Sequence, residues 1–143
     1  MQVYEIMTPE VEVIHPDATL KEAAEKMSRL EIGPLPVCDG ELLVGMLTDR
    51  DITIRATAQD RDPNTTKVRE AMTSEVVYCF TDQEVQIAAQ MMEMRQIRRV
   101  PVLNRNKQLV GIVSLGDLSV ETQDQKLAGK TLEGVSGPGK PNR

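Results

Sequence analysis

Tryptophan is missing from this chain, and two tyrosines and one phenylalanine are its only aromatic residues. A core built on stacked rings is therefore excluded, and Leu, Val, Ile, Ala and eight methionines must supply the buried surface. Basic excess is also lacking: 17 Lys and Arg stand against 22 Asp and Glu, a net charge of −5. General nucleic-acid binders displace counterions with surplus positive charge, so no nucleic-acid partner is expected, and a nucleotide ligand would need local positive charge. Cys38 and Cys79 form no CxxC pair or Cys/His cluster, and His15 is the single histidine, so the pattern offers neither a metal site nor a disulfide framework. Both cysteines read as small buried hydrophobes, with one regulatory disulfide as the other reading. No apolar run approaches membrane-spanning length, and Met1 to Glu10 lacks the basic start and apolar stretch of a secretory leader. A reducing cytoplasm and no membrane partner are the expectation. Nucleophile–base constellations and a Walker loop are missing too, so no enzyme is expected.

What is present is a repeat. Val3-Tyr4-Glu5-Ile6-Met7-Thr8 returns as Val68-Arg69-Glu70-Ala71-Met72-Thr73, and Asp17, Ala23, Ala24, Met27, Ile32, Pro36 and Val37 return as Asp82, Ala88, Ala89, Met92, Ile97, Pro101 and Val102. After one inserted residue, Leu43-Val44-Gly45 and Asp51 return as Leu109-Val110-Gly111 and Asp117. A period of roughly 65 residues exceeds solenoid repeats and marks a duplicated small domain. The boundaries read as repeat 1 over residues 1–60, a polar linker over 61–67, repeat 2 over 68–120, and a polar C-terminal tail over 121–143 that lacks apolar periodicity and contributes nothing to ligand binding.

Each copy carries the pattern strand, helix, strand, strand, helix. Val11 to Ile14 and Val76 to Phe80 favour strands. Thr19 with Glu22, and Thr81 with Glu84, have capping-box spacing ahead of helices whose apolar faces are Leu20, Ala23, Met27 and Val85, Ala88, Met92. Strands follow over Leu35–Cys38, Leu43–Leu47, Val100–Leu103 and Leu109–Val113, and second helices after Thr48 and Ser114. The fold class is α/β (α+β), two tandem β-α-β-β-α repeats. One copy holds too small a core to stand alone comfortably, which predicts that the two pack together.

The chemistry concentrates in Gly45-Met46-Leu47-Thr48-Asp49-Arg50-Asp51 and Gly111-Ile112-Val113-Ser114-Leu115-Gly116-Asp117. A hydroxyl and a carboxylate three apart at a helix start share one side of its first turn, beside unpaired N–H groups. Such a carboxylate can accept both hydroxyls of a ribose, and the Thr or Ser can bond a phosphate or ribose. The same spacing is also an N-cap that does nothing but stabilise the helix, and the residues alone leave both readings open. Met91, Met92 and Met94 read as core or helix contacts, and His15 as a loop residue.

The ordered set Met-Thr-Pro/Ser, Ala-Ala-x-x-Met, apolar-Pro-Val and Gly-apolar-apolar-Thr/Ser-x-x-Asp, present twice over about residues 1–120, resembles the cystathionine-β-synthase (CBS) domain family, and the length resembles its small stand-alone bacterial members, including hypoxic-response types. The resemblance implies a regulatory module without catalysis, in which two repeats pack with pseudo-two-fold symmetry and bind an adenosine-type nucleotide (AMP, ADP, ATP or NAD) in clefts between them, sensing energy or redox state. It assigns the ribose carboxylate to Asp51 and Asp117, the neighbouring hydroxyl to Thr48 and Ser114, and phosphate to Arg98 and Arg99, which otherwise serve only to solvate an edge strand. Adenine would lie near Val13 and Tyr78. The first copy departs from the pattern, with Gly33 and Pro34 in place of the arginines. A homodimer and an unidentified regulated protein are the implied partners. The competing reading is a structural or redox-responsive stress protein with degenerate clefts, in which Cys38 is the switch.

Overall fold

In a computed structural model of the full chain, residues 1–137 are described below. The element order is β1 (Thr8–Pro9), α1 (Leu20–Leu30), β2 (Pro34–Asp39), β3 (Leu42–Thr48), α2 (Asp49–Arg55), β4 (Cys79–Phe80), α3 (Val85–Arg95), β5 (Arg99–Leu103), β6 (Leu109–Ser114), α4 (Leu115–Glu121) and α5 (Gln125–Ser136), with short 3-10 turns at Val3–Glu5, Thr57–Gln59 and Val68–Glu70. This is the α/β pattern expected, given twice.

The compact units do not coincide with the sequence repeats. One unit is Glu12–Val76; the other joins Met1–Val11 to the chain from Val77 onward. The first residues of repeat 1 thus pack with the body of repeat 2, and residues 66–76 pack with the body of repeat 1. Backbone hydrogen bonds account for this. Val3 and Tyr4 donate to Gln83 and Thr81 oxygens at 2.8 and 3.1 Å, and Val85 N–H donates to Met1 O at 3.0 Å. The same three bonds recur in the other unit as Val68 to Ala18 (2.8 Å), Arg69 to Pro16 (2.9 Å) and Leu20 to Thr66 (2.9 Å). Residues 61–67 are therefore tied to the start of α1 and are more than a polar linker.

In the unit that begins and ends the chain, four strands run in the order β1-β6-β5-β4, with β4 parallel to β5 and the other pairs antiparallel. In Glu12–Val76 the antiparallel β2–β3 pair is flanked by single bridges in the corresponding places, Met46 with Thr73 and Ile14 with Val37. The strand expected over Val11–Ile14 is thus reduced to one bridge, and that over Val76–Phe80 to two residues. Glu10, in the left-handed region at φ 55°, bends the chain just before the first of these.

The glycine of each Leu-Val-Gly motif is explained by the Met-Thr motif of the other repeat. A Cβ on Gly45 would lie 2.6 Å from Met72 Sδ and 2.9 Å from Thr73 O; on Gly111 it would lie 2.5 Å from Met7 Sδ and 2.9 Å from Thr8 O. The edge segment can approach only a residue without a side chain.

Each unit buries its own apolar face. Leu20, Ala23 and Met27 of α1 pack with Leu35, Val37, Leu47 and Val68; Val85, Ala88 and Met92 of α3 pack with Val3, Val100, Val113 and Leu118. Of the three clustered methionines, Met92 is core and Met91 lies against it, but Met94 is 81% exposed and takes no part. The box expected at Thr19–Glu22 caps α1 from both sides. That expected at Thr81–Glu84 is not formed: Glu84 itself is the N-cap of α3 and no side chain caps it. The repeat offset sets Thr19 opposite Glu84, so the capping hydroxyl is lost in the second copy.

The largest difference from expectation lies in residues 121–143. Gln125–Ser136 is a helix, capped by Asp124 Oδ1 accepting the Leu127 N–H at 3.0 Å. It packs against α3 and α4, with Val135 in the core and Thr131 fully buried. The Thr131 hydroxyl donates to Leu127 O at 2.6 Å, so its burial leaves no unmet polar group. Gly134 allows close approach to α3, since a Cβ there would lie 2.6 Å from Glu93 Cγ. The sequence Pro138 to Arg143 lies outside the described residues.

Candidate functional site

Both hydroxyl–carboxylate motifs form closed boxes at helix starts. Thr48 Oγ1 accepts the Asp51 N–H at 3.1 Å while Asp51 Oδ2 accepts the Thr48 N–H at 3.0 Å. Ser114 Oγ accepts the Asp117 N–H at 3.0 Å and Asp117 Oδ2 accepts the Ser114 N–H at 2.8 Å. The cap reading is therefore realised in both copies. It occupies one carboxylate oxygen in each box and so does not compete with a ligand for the other.

The two carboxylates differ in surroundings. Asp51 is buried, at 7% exposure, and desolvation raises its pKa above the ordinary value against the opposing pull of its Thr48 hydrogen bonds and of Arg55 and Arg50. Arg55 Nε lies 4.0 Å from Asp51 Oδ1, and the same guanidinium donates to the Met72 carbonyl at 3.0 Å. Asp117 is half-buried, and its unit carries Gly116 and Glu121 where Asp51 has Arg50 and Arg55.

Arg98 and Arg99 precede the Val-Pro-Val run of β5. Arg99 pairs in register with Ser114, and Leu115 N–H donates to Arg98 O at 2.8 Å, which fixes both arginines beside the start of α4. Both are exposed, and neither has an ion pair among the described residues. With Ser114 and Leu115 they wall a cleft of about 580 Å³, within the size range of small-molecule sites. Gly116 and Ser119 of α4 and one face of α5 complete its lining. Asp117 and Tyr78 do not line it, so the structure gathers Arg98, Arg99 and Ser114 but leaves these two outside.

In the unit Glu12–Val76 the equivalent corner has the opposite character. Gly33 and Pro34 stand in the places of the arginines, Asp49 in that of Leu115, and Asp49 N–H donates to Gly33 O at 3.1 Å. A Cβ on Gly33 would meet Asp49 Oδ1 at 3.2 Å, so the carboxylate lies directly over this corner.

Val13 is half-buried and its carbonyl accepts a hydrogen bond from Lys26 Nζ at 2.6 Å. Tyr78 packs edge-on against Phe80, with ring centres 5.6 Å apart, and Arg105 lies over the Phe80 ring. His15 is a loop residue but not an unpartnered one: Nδ1 accepts the Asp17 N–H at 3.0 Å and Nε2 lies 3.5 Å from Asp39 Oδ1. Cys38 and Cys79 are buried free thiols; burial pushes both pKa values up, that of Cys79 to about 12. Among the described residues no three His, Cys, Asp or Glu side chains gather as a metal site, and no helix is long and apolar enough to cross a membrane.

With the fold and these motifs in place, the family follows: the CBS domain model matches residues 3–56 and 68–121, and the chain belongs to the CBS domain family as a small protein carrying two such repeats. CBS domain-containing protein YhcV of Bacillus subtilis is 42% identical over 134 residues, 94% of each chain. Hypoxic response protein 1 of Mycobacterium tuberculosis is 40% identical over 116 residues, 80% of each chain. The crystal structure of Hypoxic Response Protein I with two coordinated zinc ions has a TM-score of 0.78 at 38% identity, covering 85% of this chain and 98% of that one. The CBS domain pair of protein MJ0100, solved with 5′-methylthioadenosine and S-adenosyl-L-methionine, has a TM-score of 0.75 at 30% identity over 86% of this chain and 96% of that one.

Proposed function

We propose that this protein is a non-catalytic regulatory module that binds an adenosine-type nucleotide, with Asp51 and Asp117 accepting ribose hydroxyls, Thr48 and Ser114 beside them, and Arg98 and Arg99 receiving phosphate. The observation that carries this reading is the convergence on one cleft of about 580 Å³ of the Ser114 hydroxyl and two arginines without an ion pair among the described residues, in an otherwise acidic protein. The MJ0100 complexes lend support, because both of their ligands contain adenosine. Val13 and Tyr78, half-buried at the parallel edge of their sheets, are the adenine-side residues. AMP, ADP, ATP and NAD all supply a ribose and a phosphate. The phosphate requirement distinguishes them from adenosine itself.

The protein works as a cytoplasmic homodimer that passes nucleotide occupancy, and with it energy state, to a regulated protein. Ile54 on α2 and Val120 on α4, equivalent positions of the repeat, expose 43% and 69% of their surface, which favours pairing of apolar helix faces. The thiol-switch alternative draws no support from Cys38 or Cys79, since burial and a raised pKa disfavour the reactive thiolate.

Calorimetric titration with AMP and adenosine tests the assignment. Losing a charge-assisted hydrogen bond costs roughly 1.5–3 kcal/mol, about ten- to more than a hundredfold in affinity. Asp117→Ala or Asp51→Ala should weaken AMP and adenosine alike at its own site. Arg98→Ala or Arg99→Ala should weaken AMP far more than adenosine, by a margin that shrinks with added salt. Equal losses for the two ligands in the arginine variants would sink the phosphate assignment. Unchanged binding in both aspartate variants would leave the boxes as helix caps and nothing more.

A further inference from the structure

We infer that Arg105, clamped by Asp82, is a positioning residue for the nucleobase: it covers one face of Phe80, the ring against which Tyr78 packs, and so fixes the pose in which Tyr78 meets adenine. This deepens the nucleotide reading above and rests on its placement of adenine beside Tyr78. Successive side chains of a strand alternate faces, so Tyr78 and Phe80, two apart, share one. Their rings meet edge to face, at 86° with centres 5.6 Å apart. Phe80 pairs in register with Leu103, and Thr81 N–H donates to Leu103 O at 3.0 Å, which brings the β5–β6 turn and its Arg105 alongside. The Arg105 guanidinium carbon lies 4.1 Å from the Phe80 ring centre.

The clamp makes this more than a surface contact. A single-pronged exposed ion pair fixes little, because two flexible side chains share it in water. Arg105 instead holds both Asp82 oxygens, Nε donating to Oδ2 at 3.0 Å and Nη2 to Oδ1 at 2.8 Å, a fork that gives the guanidinium plane one orientation. Cation and ring then attract through the ring quadrupole. Phe80 is held further by its backbone N–H, which donates to Gln83 Oε1 at 2.8 Å. Tyr78 makes no side-chain hydrogen bond among the described residues, so the Phe80 ring is what orients it. The series Asp82, Arg105, Phe80, Tyr78 is peculiar to this unit. At the equivalent places the first copy has Asp17 and His15 but Val13 for Tyr78, and its hairpin turn, Asp39-Gly40-Glu41-Leu42, carries no arginine.

The test titrates the full-length protein with AMP and, separately, inorganic pyrophosphate, as wild type and as Arg105→Ala, Arg105→Lys, Tyr78→Ala and the double variant Arg105→Ala with Tyr78→Ala. Arg105 and Tyr78 lie outside both apolar cores, so the variants should stay folded. Arg105→Ala should weaken AMP by about threefold to tenfold while pyrophosphate stays within about twofold. Arg105→Lys should fall with it, since an ammonium keeps the charge but neither the fork nor the flat stacking surface. In a protein already lacking the Tyr78 ring, Arg105→Ala should cost no further AMP affinity, because the two residues act in series. The chain has no tryptophan, so tyrosine emission in a Tyr4→Phe background reports Tyr78 alone, and its anisotropy should fall in Arg105→Ala. Losses that add in the double variant, or equal losses for AMP and pyrophosphate, would overturn the positioning role. Full AMP affinity in Arg105→Ala, where Tyr78→Ala weakens AMP, would overturn it too and leave the nucleotide reading standing. A Tyr78→Ala variant that binds AMP like wild type, or a wild type that binds none, would remove the adenine placement and this inference with it.

Discussion

The two corners that face the Thr48 and Ser114 boxes share a backbone and differ in charge. In both, a residue just before the Pro-Val strand accepts a hydrogen bond from the first residue of the short helix: Gly33 from Asp49, Arg98 from Leu115. In one the corner carries a carboxylate over a glycine; in the other it carries two guanidinium groups beside a leucine. Positive charge in the first copy has moved onto the helix as Arg50 and Arg55, and Arg55 is already engaged with the Ala71 and Met72 carbonyls. The two copies thus share the parts that hold the chain in place and differ in the charge at this corner. The two corners therefore present local charge of opposite sign.

If the frame is shared, breaking it should cost the same in either copy. Gly45→Ala and Gly111→Ala each drive a Cβ against a methionine sulfur and a backbone carbonyl at under 3 Å. Each should destabilise by roughly 1–3 kcal/mol, the usual cost of overpacking, measured by urea denaturation. A large cost at one glycine and none at the other would show that the two edge segments are not equivalent.

The caps come next in size. Thr48→Ala and Ser114→Ala each remove a hydroxyl that satisfies a helix N–H and should cost about 1 kcal/mol. Near-equal losses support the common frame. A much smaller loss for Ser114→Ala would indicate that α5, which packs on α4 but has no counterpart after α2, already holds that helix.

Much of this was legible in the sequence, for a physical reason. Hydroxyl–carboxylate boxes and apolar helix faces are local, so Thr19, Thr48 and Ser114 announce their helices by spacing alone. The glycine–methionine contacts are not local, and the repeat showed that Gly45 and Met72 recur without showing that they meet. Helix α5 stayed hidden because its two glycines and Thr131 lower its intrinsic propensity, and tertiary burial decides in such cases. The signal that could have found it was Asp124 as a cap followed by Leu127, Thr131 and Val135 at four-residue spacing. Of the residues that line the cleft, Arg98, Arg99 and Ser114 stand in motifs visible in the sequence, while Gln125, Gly129 and Leu132 belong to no motif.

A smaller effect tests the helix ends. Glu31 and Gln96, equivalent in the repeat, both close their helices in the left-handed region, at φ 55° and 52°. Glycine adopts that conformation without the Cβ penalty of about 1–2 kcal/mol, so after the entropy glycine adds to the unfolded chain Glu31→Gly and Gln96→Gly should each stabilise by up to about 1 kcal/mol in the same denaturation assay. Gln96→Gly should gain less, because it also gives up the hydrogen bond to Gly137 O. A larger gain at Gln96 would mean that this bond contributes nothing to holding α5.

The smallest expected effect concerns pH, and it separates the two carboxylate environments of the Glu12–Val76 unit. Burial raises the pKa of Asp51, while the hydrogen bond from Arg69 holds the exposed Asp17 carboxyl below its ordinary value. A raised folded-state pKa means that the native state binds the proton more tightly than the unfolded chain. The stability Asp51 contributes is then fully present below its unfolded pKa and is lost as pH rises through the raised value. Asp17 works in the opposite sense, contributing stability above its unfolded pKa that is lost as pH falls through its lowered one. Asn cannot titrate, so relative to wild type Asp51→Asn should gain stability as pH rises from about 3 to about 7, and Asp17→Asn should lose it over the acidic part of that range. Urea midpoints collected across the range, each variant against wild type at the same pH, give the two slopes directly. Slopes of the same sign would show that water reaches Asp51 and that Thr48 and Arg55, rather than burial, govern its proton. For the proposed ribose contact, Asp51 would then be a carboxylate already hydrated, and its burial would carry no weight in binding.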